Sequence, residues 1–240
     1  MRIVFMGTPD FSVAALNSLA EAGHEIAACV TQPDKPKGRG KAVLMTPVKM
    51  RALELDIPVY QPVKVRDPEF VKVLKELDPE VIIVVAFGQI ISQEILDLPK
   101  YGCINIHASL LPKYRGAAPI QQAVMDGEPV TGVTTMMMDA GIDTGDMLET
   151  VTVPIAEDET GGSLHDKLAA AGGRLIVSTL EKLKEGTLTR TRQPEEGACY
   201  AQKLTKSLGN IDWSMDAAAI ERLVRALNPW PSAYSSLNGK

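Results

Sequence analysis

The residues best suited to chemistry stand at Asn105-Ile106-His107, at the end of a β-type run, Cys103–His107. Two apart on a strand, the Asn105 and His107 side chains project to the same face. A carboxamide N–H can donate to an oxygen that is gaining negative charge, and an imidazole can exchange a proton near neutral pH. Asn-x-His is a short motif, however, and a structural histidine at a strand end fits it as well. The second group, Asp139-Ala140-Gly141-Ile142-Asp143-Thr144-Gly145, follows another β-type run, Val130–Met138. A carboxylate brought beside His107 would favour the imidazolium and orient the ring. Taken alone, Asp143 in Asp-Thr-Gly is also good turn chemistry.

Two further stretches bear on ligands. Within Gln32–Arg51, Lys35, Lys37, Arg39, Lys41, Lys49 and Arg51 face a single acid, Asp34, in a chain whose formal charge is −5. Gly38 and Gly40 flank Arg39. Such a loop can grip phosphates and order itself on binding; a solvated loop without a partner has the same composition. Gly7-Thr8-Pro9-Asp10-Phe11 follows the first apolar run. Pro9 and Asp10 occupy the places of phosphate-cradling glycines, so nicotinamide or flavin binding is not expected. His24, His107 and His165 have no ligand spacing, and no metal site is expected.

These groups need a frame. Ile3–Met6, Glu25–Thr31, Val81–Ala86, Cys103–His107, Val130–Met138 and Met147–Pro154 read as strands. Val81–Ala86 is continuously apolar, as suits a parallel strand covered on both faces. Phe11–Ala22, Pro47–Leu55, Pro68–Leu77, Ala117–Met125, Ser163–Glu185 and Asp216–Leu227 read as helices. Ser163 and Asp166 offer a cap for the fifth of these, and Gly186 ends it. Gly172-Gly173 inside it marks either close packing or a break. The alternation predicts an α/β fold: a Rossmann-like open, mostly parallel sheet with helices on both faces. Ligands of such sheets bind beyond the carboxyl ends of the strands, at Gly7–Phe11, Phe87–Ile90, His107–Gly116 and Asp139–Asp143. Thr187–Ala201 is polar and reads as a linker. A short strand is expected near Ile211–Trp213, and a hairpin turn at Asn238-Gly239-Lys240.

Composition sets bounds. At 240 residues the chain holds one large domain, or one domain and part of another. Net negative charge confines any nucleic-acid contact to a local basic patch. Three separated cysteines fit a reducing compartment, here the cytoplasm. No apolar run reaches the roughly 18 residues of a membrane span, so no membrane partner is expected.

Asn105-x-His107-x-Ser109-Leu110-Leu111-Pro112, then Tyr114-Arg115-Gly116, with Asp143 downstream, resembles the 10-formyltetrahydrofolate-dependent formyltransferases. Gly7-Thr8-Pro9-Asp10-Phe11 and Lys37-Gly38-Arg39-Gly40-Lys41 are similar to the methionyl-tRNA formyltransferase branch. Asn228-Pro229-Trp230-Pro231 is similar to the opening of that branch's C-terminal domain, and the likeness is collinear over essentially the whole chain. The resemblance implies formyl transfer from 10-formyltetrahydrofolate to the α-amino group of methionyl initiator tRNA, without a metal. It implies catalytic roles for Asn105, His107 and Asp143. It implies a folate pocket of Phe87, Gly88, Gln89, Ile90, Ser109, Leu110, Leu111, Pro112, Met138, Asp139 and Gly141. The tRNA would meet Lys35, Lys37, Arg39 and Lys41, and the methionyl side chain would meet Phe11. The implied organisation is a catalytic domain over 1–188, a linker over 189–205, and the beginning of a truncated, tRNA-contacting β-barrel domain over 206–240. The expected partners are initiator methionyl-tRNA and a reduced folate, with the protein a monomer. Two relatives compete. Sugar-nucleotide formyltransferases acting on a 4-amino-arabinose share Ser-Leu-Leu-Pro-x-Tyr-Arg-Gly but lack the Gly-Thr-Pro-Asp-Phe turn and the Gly-Arg-Gly loop. Glycinamide-ribonucleotide formyltransferases share the Asn–His–Asp set but not the region after the linker. A non-catalytic folate-binding fragment is a third reading.

Overall fold

The structure, a computed structural model, describes residues 1–37 and 42–237. Of the expected sites, Arg39 and Lys41 lie outside the described residues, as does the turn at Asn238-Gly239-Lys240. The elements run β1 (Arg2–Gly7), α1 (Phe11–Glu21), β2 (Glu25–Val30), β3 (Lys35–Lys37), β4 (Ala42–Leu44), α2 (Pro47–Glu54), β5 (Val59–Tyr60), α3 (Pro68–Leu77), β6 (Val81–Val85), α4 (Gln93–Leu96), β7 (Cys103–His107), β8 (Arg115–Gly116), α5 (Pro119–Met125), β9 (Val130–Met137), β10 (Met147–Pro154), α6 (Gly161–Glu185), β11 (Tyr200–Ala201) and α7 (Ala217–Ala226).

Seven strands form the main sheet in the order β10-β9-β7-β6-β1-β2-β5. The five from β7 to β5 are parallel; β9 and β10 complete it antiparallel. The expected open, mostly parallel sheet is therefore present. β1 shows why it needs two helical layers. Ile3 and Phe5 face one core with residues of α1 and α6, while Val4 and Met6 face the other with residues of α3 and α4. The chain moves from β1 outward to β2 and β5, then returns to add β6 and β7 on the other side of β1. The strand order thus reverses between β1 and β6, and a crevice opens at their carboxyl ends.

Two sequence expectations change and one open alternative is decided. The start of α6 is Gly161, and its cap is Thr160, not Ser163 with Asp166. Thr160 Oγ1 accepts from the Ser163 N–H at 3.1 Å and Ser163 Oγ accepts from the Thr160 N–H at 3.0 Å. A tertiary contact supports this earlier start: the Gly162 N–H donates to Asn228 O just beyond α7. Second, Gly172-Gly173 lies inside an unbroken helix. A Cβ on Gly172 would sit 2.9 Å from Ile106 of β7, and one on Gly173 would sit 2.9 Å from the Ala14 carbonyl of α1. The pair lets α6 press on the site-bearing strand and on α1 at once. Third, no strand forms at Ile211–Trp213; a single bridge joins Asn210 to Tyr234, and the Ile211 N–H donates to Tyr234 O at 2.9 Å.

The polar stretch read as a linker runs back across β10 and β8. Thr191 and Met147 exchange two backbone hydrogen bonds, and Tyr200–Ala201 pairs in parallel with Arg115–Gly116.

Candidate active site

A cavity of about 550 Å³ opens at the carboxyl ends of β1, β6 and β7. Its walls come from Pro9 and Phe11, from Val84 and Ala86–Gln89, from Asn105–Ala108, from Gly116–Gln121, and from Met138, Asp143 and His165. The volume and mixed lining suit a small organic ligand. Hydrogen bonds pin the strand ends together: Ser12 Oγ donates to Val85 O at 2.7 Å, Thr8 Oγ1 to Phe87 O at 3.0 Å, and Gln32 Nε2 to Gly88 O at 3.1 Å.

Asn105, His107 and Asp143 meet on one wall. The Asp143 carboxylate accepts from Asn105 Nδ2 at 3.3 Å and from the Gly116 N–H at 2.8 Å. Because a carboxylate only accepts, the Asn105 amide nitrogen faces it. His107 Nε2 lies 2.8 Å from the Tyr114 carbonyl. That oxygen also only accepts, so Nε2 carries hydrogen in both charge states of the ring. Nδ1 is then the atom that gains or loses a proton, and it lies 3.7 Å from Asp143 Oδ2. His107 is buried and Asp143 half-buried, so the two interact with little solvent between them.

The backbone around them is forced. Ala86, Tyr114 and Asp143 have φ of 45°, 59° and 53°, values that side-chain-bearing residues adopt at a cost of order 1–3 kcal/mol and that concentrate at functional sites. Tyr114 in this conformation aims its carbonyl at His107. Gly116, at φ 102°, aims its N–H at Asp143, and a Cβ there would come within 2.7 Å of Ala201 O. Tyr114 is anchored at its far end, where its O–H lies 2.8 Å from Asp126 and 2.9 Å from Glu128. Burial and these two carboxylates push the phenol far above its usual range, keeping it a donor. Glu128 also takes a hydrogen bond from Lys113 Nζ at 2.7 Å, the main cause that holds its carboxyl below the ordinary range.

The expected site residues divide. Phe11, Phe87, Gly88, Gln89, Asn105, His107, Met138 and Asp143 line the cavity. Gln89 does so while bound to the frame, accepting from the Val65 N–H and donating to Pro62 O. Ser109, Leu110, Leu111 and Pro112 do not line it. Their polar groups are used in a turn: Ser109 Oγ donates to Lys113 O, Thr134 Oγ1 donates to Ser109 O, and the Leu111 N–H donates to Thr134 Oγ1. This turn returns the chain so that Tyr114 can meet His107. Asp139 and Gly141 also lie off the cavity, because Asp139 accepts from the Gly141 N–H and Thr144 Oγ1 and shapes its own loop. Ile90 is 80% exposed and faces solvent. Lys35 and Lys37 lie on the short hairpin of β3 and β4, and Lys35 is apart from the cavity wall.

The sequence reading missed three residues. His165, on the first turns of α6, lines the cavity and packs edge-on against Phe11 at a ring-centroid distance of 5.3 Å. Its neighbours are Asp10 Oδ1 at 3.4 Å and Asp166 Oδ1 at 2.9 Å. Arg115 and Gln193, both buried, stand behind Asp143. Arg115 lay in a motif already in view; nothing local distinguishes Gln193 or His165.

Comparison with known proteins gives a consistent result. A formyl transferase family model matches residues 1–180, and a formyl transferase C-terminal domain model matches residues 203–240. A methionyl-tRNA formyltransferase of Agathobacter rectalis is 60% identical over 240 residues, covering 100% of this chain and 77% of that relative. One of Clostridioides difficile is 56% identical over 238 residues, covering 99% and 77%. Among solved structures, a Shewanella sugar N-formyltransferase is similar with a TM-score of 0.75 at 20% identity, covering 99% of this chain and 93% of its own. HypX from Aquifex aeolicus in complex with tetrahydrofolic acid is similar at 0.74 and 22%, covering 100% and 36%. At such identities the likeness is one of fold.

Proposed function

This chain belongs to the formyl transferase family, and we propose, with that as premise, that Asn105, His107 and Asp143 carry its reaction. The reaction is transfer of the formyl group of 10-formyltetrahydrofolate to the α-amino group of methionyl initiator tRNA. Relatives of that activity are 53–60% identical along essentially the whole chain, whereas the sugar-acting neighbours share only the fold. The catalytic assignment rests on one observation: the Asn105 amide, His107 Nδ1 and the Asp143 carboxylate converge on one wall of the cavity.

Attack of the neutral amine on the formyl carbon forms the new C–N bond and leaves negative charge on the formyl oxygen. The second Nδ2 hydrogen of Asn105 and the Nδ1–H of cationic His107 donate to that oxygen. Each such donor is worth on the order of 10²–10³ in rate. Asp143 takes the proton that the attacking nitrogen loses. When the C–N10 bond breaks, its electron pair stays on N10, which takes the proton of His107 Nδ1. A proton passing from Asp143 to Nδ1 then restores both groups. Phe87, Gly88, Gln89 and Met138 are assigned to the folate, and Phe11 with His165 to the methionyl side, where the Phe11 ring, met edge-on by His165, offers an apolar surface.

The tRNA is assigned to the hairpin. Two of its neighbouring cations are engaged internally: Lys49 binds Asp34 at 2.5 Å and Arg51 binds Glu54 at 2.7 Å. Lys35, Lys37, Arg39 and Lys41 are assigned to phosphate, and the Lys35 side chain is exposed. Residues 1–188 are assigned as the catalytic unit, 189–205 as the connection and 206–240 to the tRNA-contacting unit. The two matched family regions, 1–180 and 203–240, support that division. One chain supplies all three reacting side chains, so a monomer suffices. Among the described residues no helix is long and apolar enough to cross a membrane, and translation initiation assigns the reaction to the cytoplasm.

The test is formylation of charged initiator tRNA, an amino-sugar nucleotide and glycinamide ribonucleotide by the purified protein with 10-formyltetrahydrofolate. Product from the tRNA alone is expected. Product from the sugar nucleotide alone would sink the assignment.

A further inference from the structure

We propose that Gln193 is a positioning residue for formyl transfer: it holds the loop that presents Asp143, clamping that loop to the segment that receives its carboxylate. The proposal rests on the reading of Asp143 as a reacting group.

The loop between β9 and β10 has little apolar anchorage. Asp139 to Ile142 are exposed, and Asp143 sits at φ 53°. A side chain on such a loop would wander unless its backbone were tied. Gln193 supplies the tie. Its Nε2 donates to Asp143 O at 2.9 Å and to Gly145 O at 2.7 Å, so it uses both amide hydrogens on the two sides of Thr144. Its Oε1 accepts from Arg115 Nε at 2.9 Å. Two carbonyl acceptors at one end and a guanidinium donor at the other fix which way the amide points.

Arg115 closes the clamp. It precedes Gly116, whose N–H binds the Asp143 carboxylate, and follows Tyr114, whose carbonyl binds His107. One buried side chain therefore joins the backbone of the Asp143 loop to the segment that holds both reacting groups. The strap carrying Gln193 is itself fixed at each end, by Thr191 on Met147 and by Cys199–Ala201 on Arg115–Ala117. Arg192 and Pro194 on either side of Gln193 are exposed, whereas Gln193 is 4% exposed. Arg115 is as deeply buried, yet among the described residues its Nη2 has no hydrogen-bond partner, and its Nη1 stands 3.7 Å from an exposed Glu195 carboxylate. Burying a guanidinium so incompletely paired costs stability that an apolar side chain would not cost. Placement of neighbouring groups, rather than packing, accounts for the pair.

The test is a double-mutant cycle on formylation of methionyl-tRNA, read by single turnover so that slow variants remain measurable. Gln193→Ala should lower the rate about 30-fold with the KM for the folate changed less than about 3-fold, because the lost interaction is made at the reacting groups. In an Asp143→Asn background the same change should cost less than about 3-fold, because residues that act as a unit are non-additive. Thermal melting checks that each variant is folded. If alanine loosens the fold, Gln193→Glu serves in its place: it keeps a partner for Arg115 but sets a carboxylate oxygen against the two carbonyls, and the same pattern is expected. An equal loss in both backgrounds, or no loss in either, overturns the proposal. Full activity of Asp143→Asn alone would instead overturn the assignment of Asp143, a separate failure.

Discussion

The end of β7 and the β3–β4 hairpin both follow parallel strands of one sheet, and they are built in opposite ways. Around His107 nearly every polar group has a partner, three non-glycine residues hold positive φ, and strands, a turn and a strap converge from five parts of the chain. The hairpin has three residues in each strand, pairs with itself, and carries Val43 and Leu44 half or more in solvent. The difference fits the two tasks proposed for them. Stabilising a transient oxyanion needs donors already in place when charge develops. Capturing a long polyanion needs accessible positive charge, and its geometry can be completed on binding.

The largest expected effect breaks the rigid side. Asn105→Ala should lower kcat by about 10²–10³, the range for loss of one oxyanion donor, with the KM for methionyl-tRNA little changed. Steady-state kinetics decide; a rise in that KM with kcat intact would move Asn105 from chemistry to binding.

The next acts on the hairpin. Arg39→Ala should lower kcat/KM for methionyl-tRNA by about tenfold, reduce the slope of log KM against log salt by about one phosphate contact, and leave folate affinity unchanged. Folate binding measured by fluorescence titration alongside the salt series checks it. Equal losses for folate and tRNA would erase the division of labour between the two regions.

The smallest effect concerns stability at the anchor of the β7 turn. The Lys113 hydrogen bond, aided by the Tyr114 O–H, holds the Glu128 carboxyl below its ordinary range. A carboxyl depressed on folding stabilises above its unfolded pKa and loses that contribution as pH falls through the folded value. Lys113 is half exposed, so the contribution is discounted to about 1 kcal/mol or less. Glu128→Gln should therefore melt a few degrees lower at pH 7, by about the shift expected for so small a change, and the gap should close near pH 3. A gap of the same size at both pH values would remove the ion pair from the account.

What the sequence determined by itself was local. Period-two and period-3.6 patterns located β7 and β10 to the residue and most helices to within two, because burial on one or both faces is written in neighbouring positions. The motif around Asn105 and His107 was legible because strand periodicity puts both side chains on one face. Tertiary structure decided the partners. Asp143 reaches Asn105 across 38 residues of chain and Gln193 reaches Asp143 across 50. No pattern in a polar, apolar-poor stretch reports which of its residues will be buried against a loop so distant. Ser109–Pro112 teaches the converse: a motif marks the site by its sequence, yet it forms the turn behind His107 instead of the cavity wall, with the Ser109 hydroxyl donating to Lys113 O and the Ser109 carbonyl accepting from Thr134 Oγ1. Local sequence encodes which face a side chain takes; the close approach of separate segments, enforced at Gly116 and Gly172, selects what that face meets.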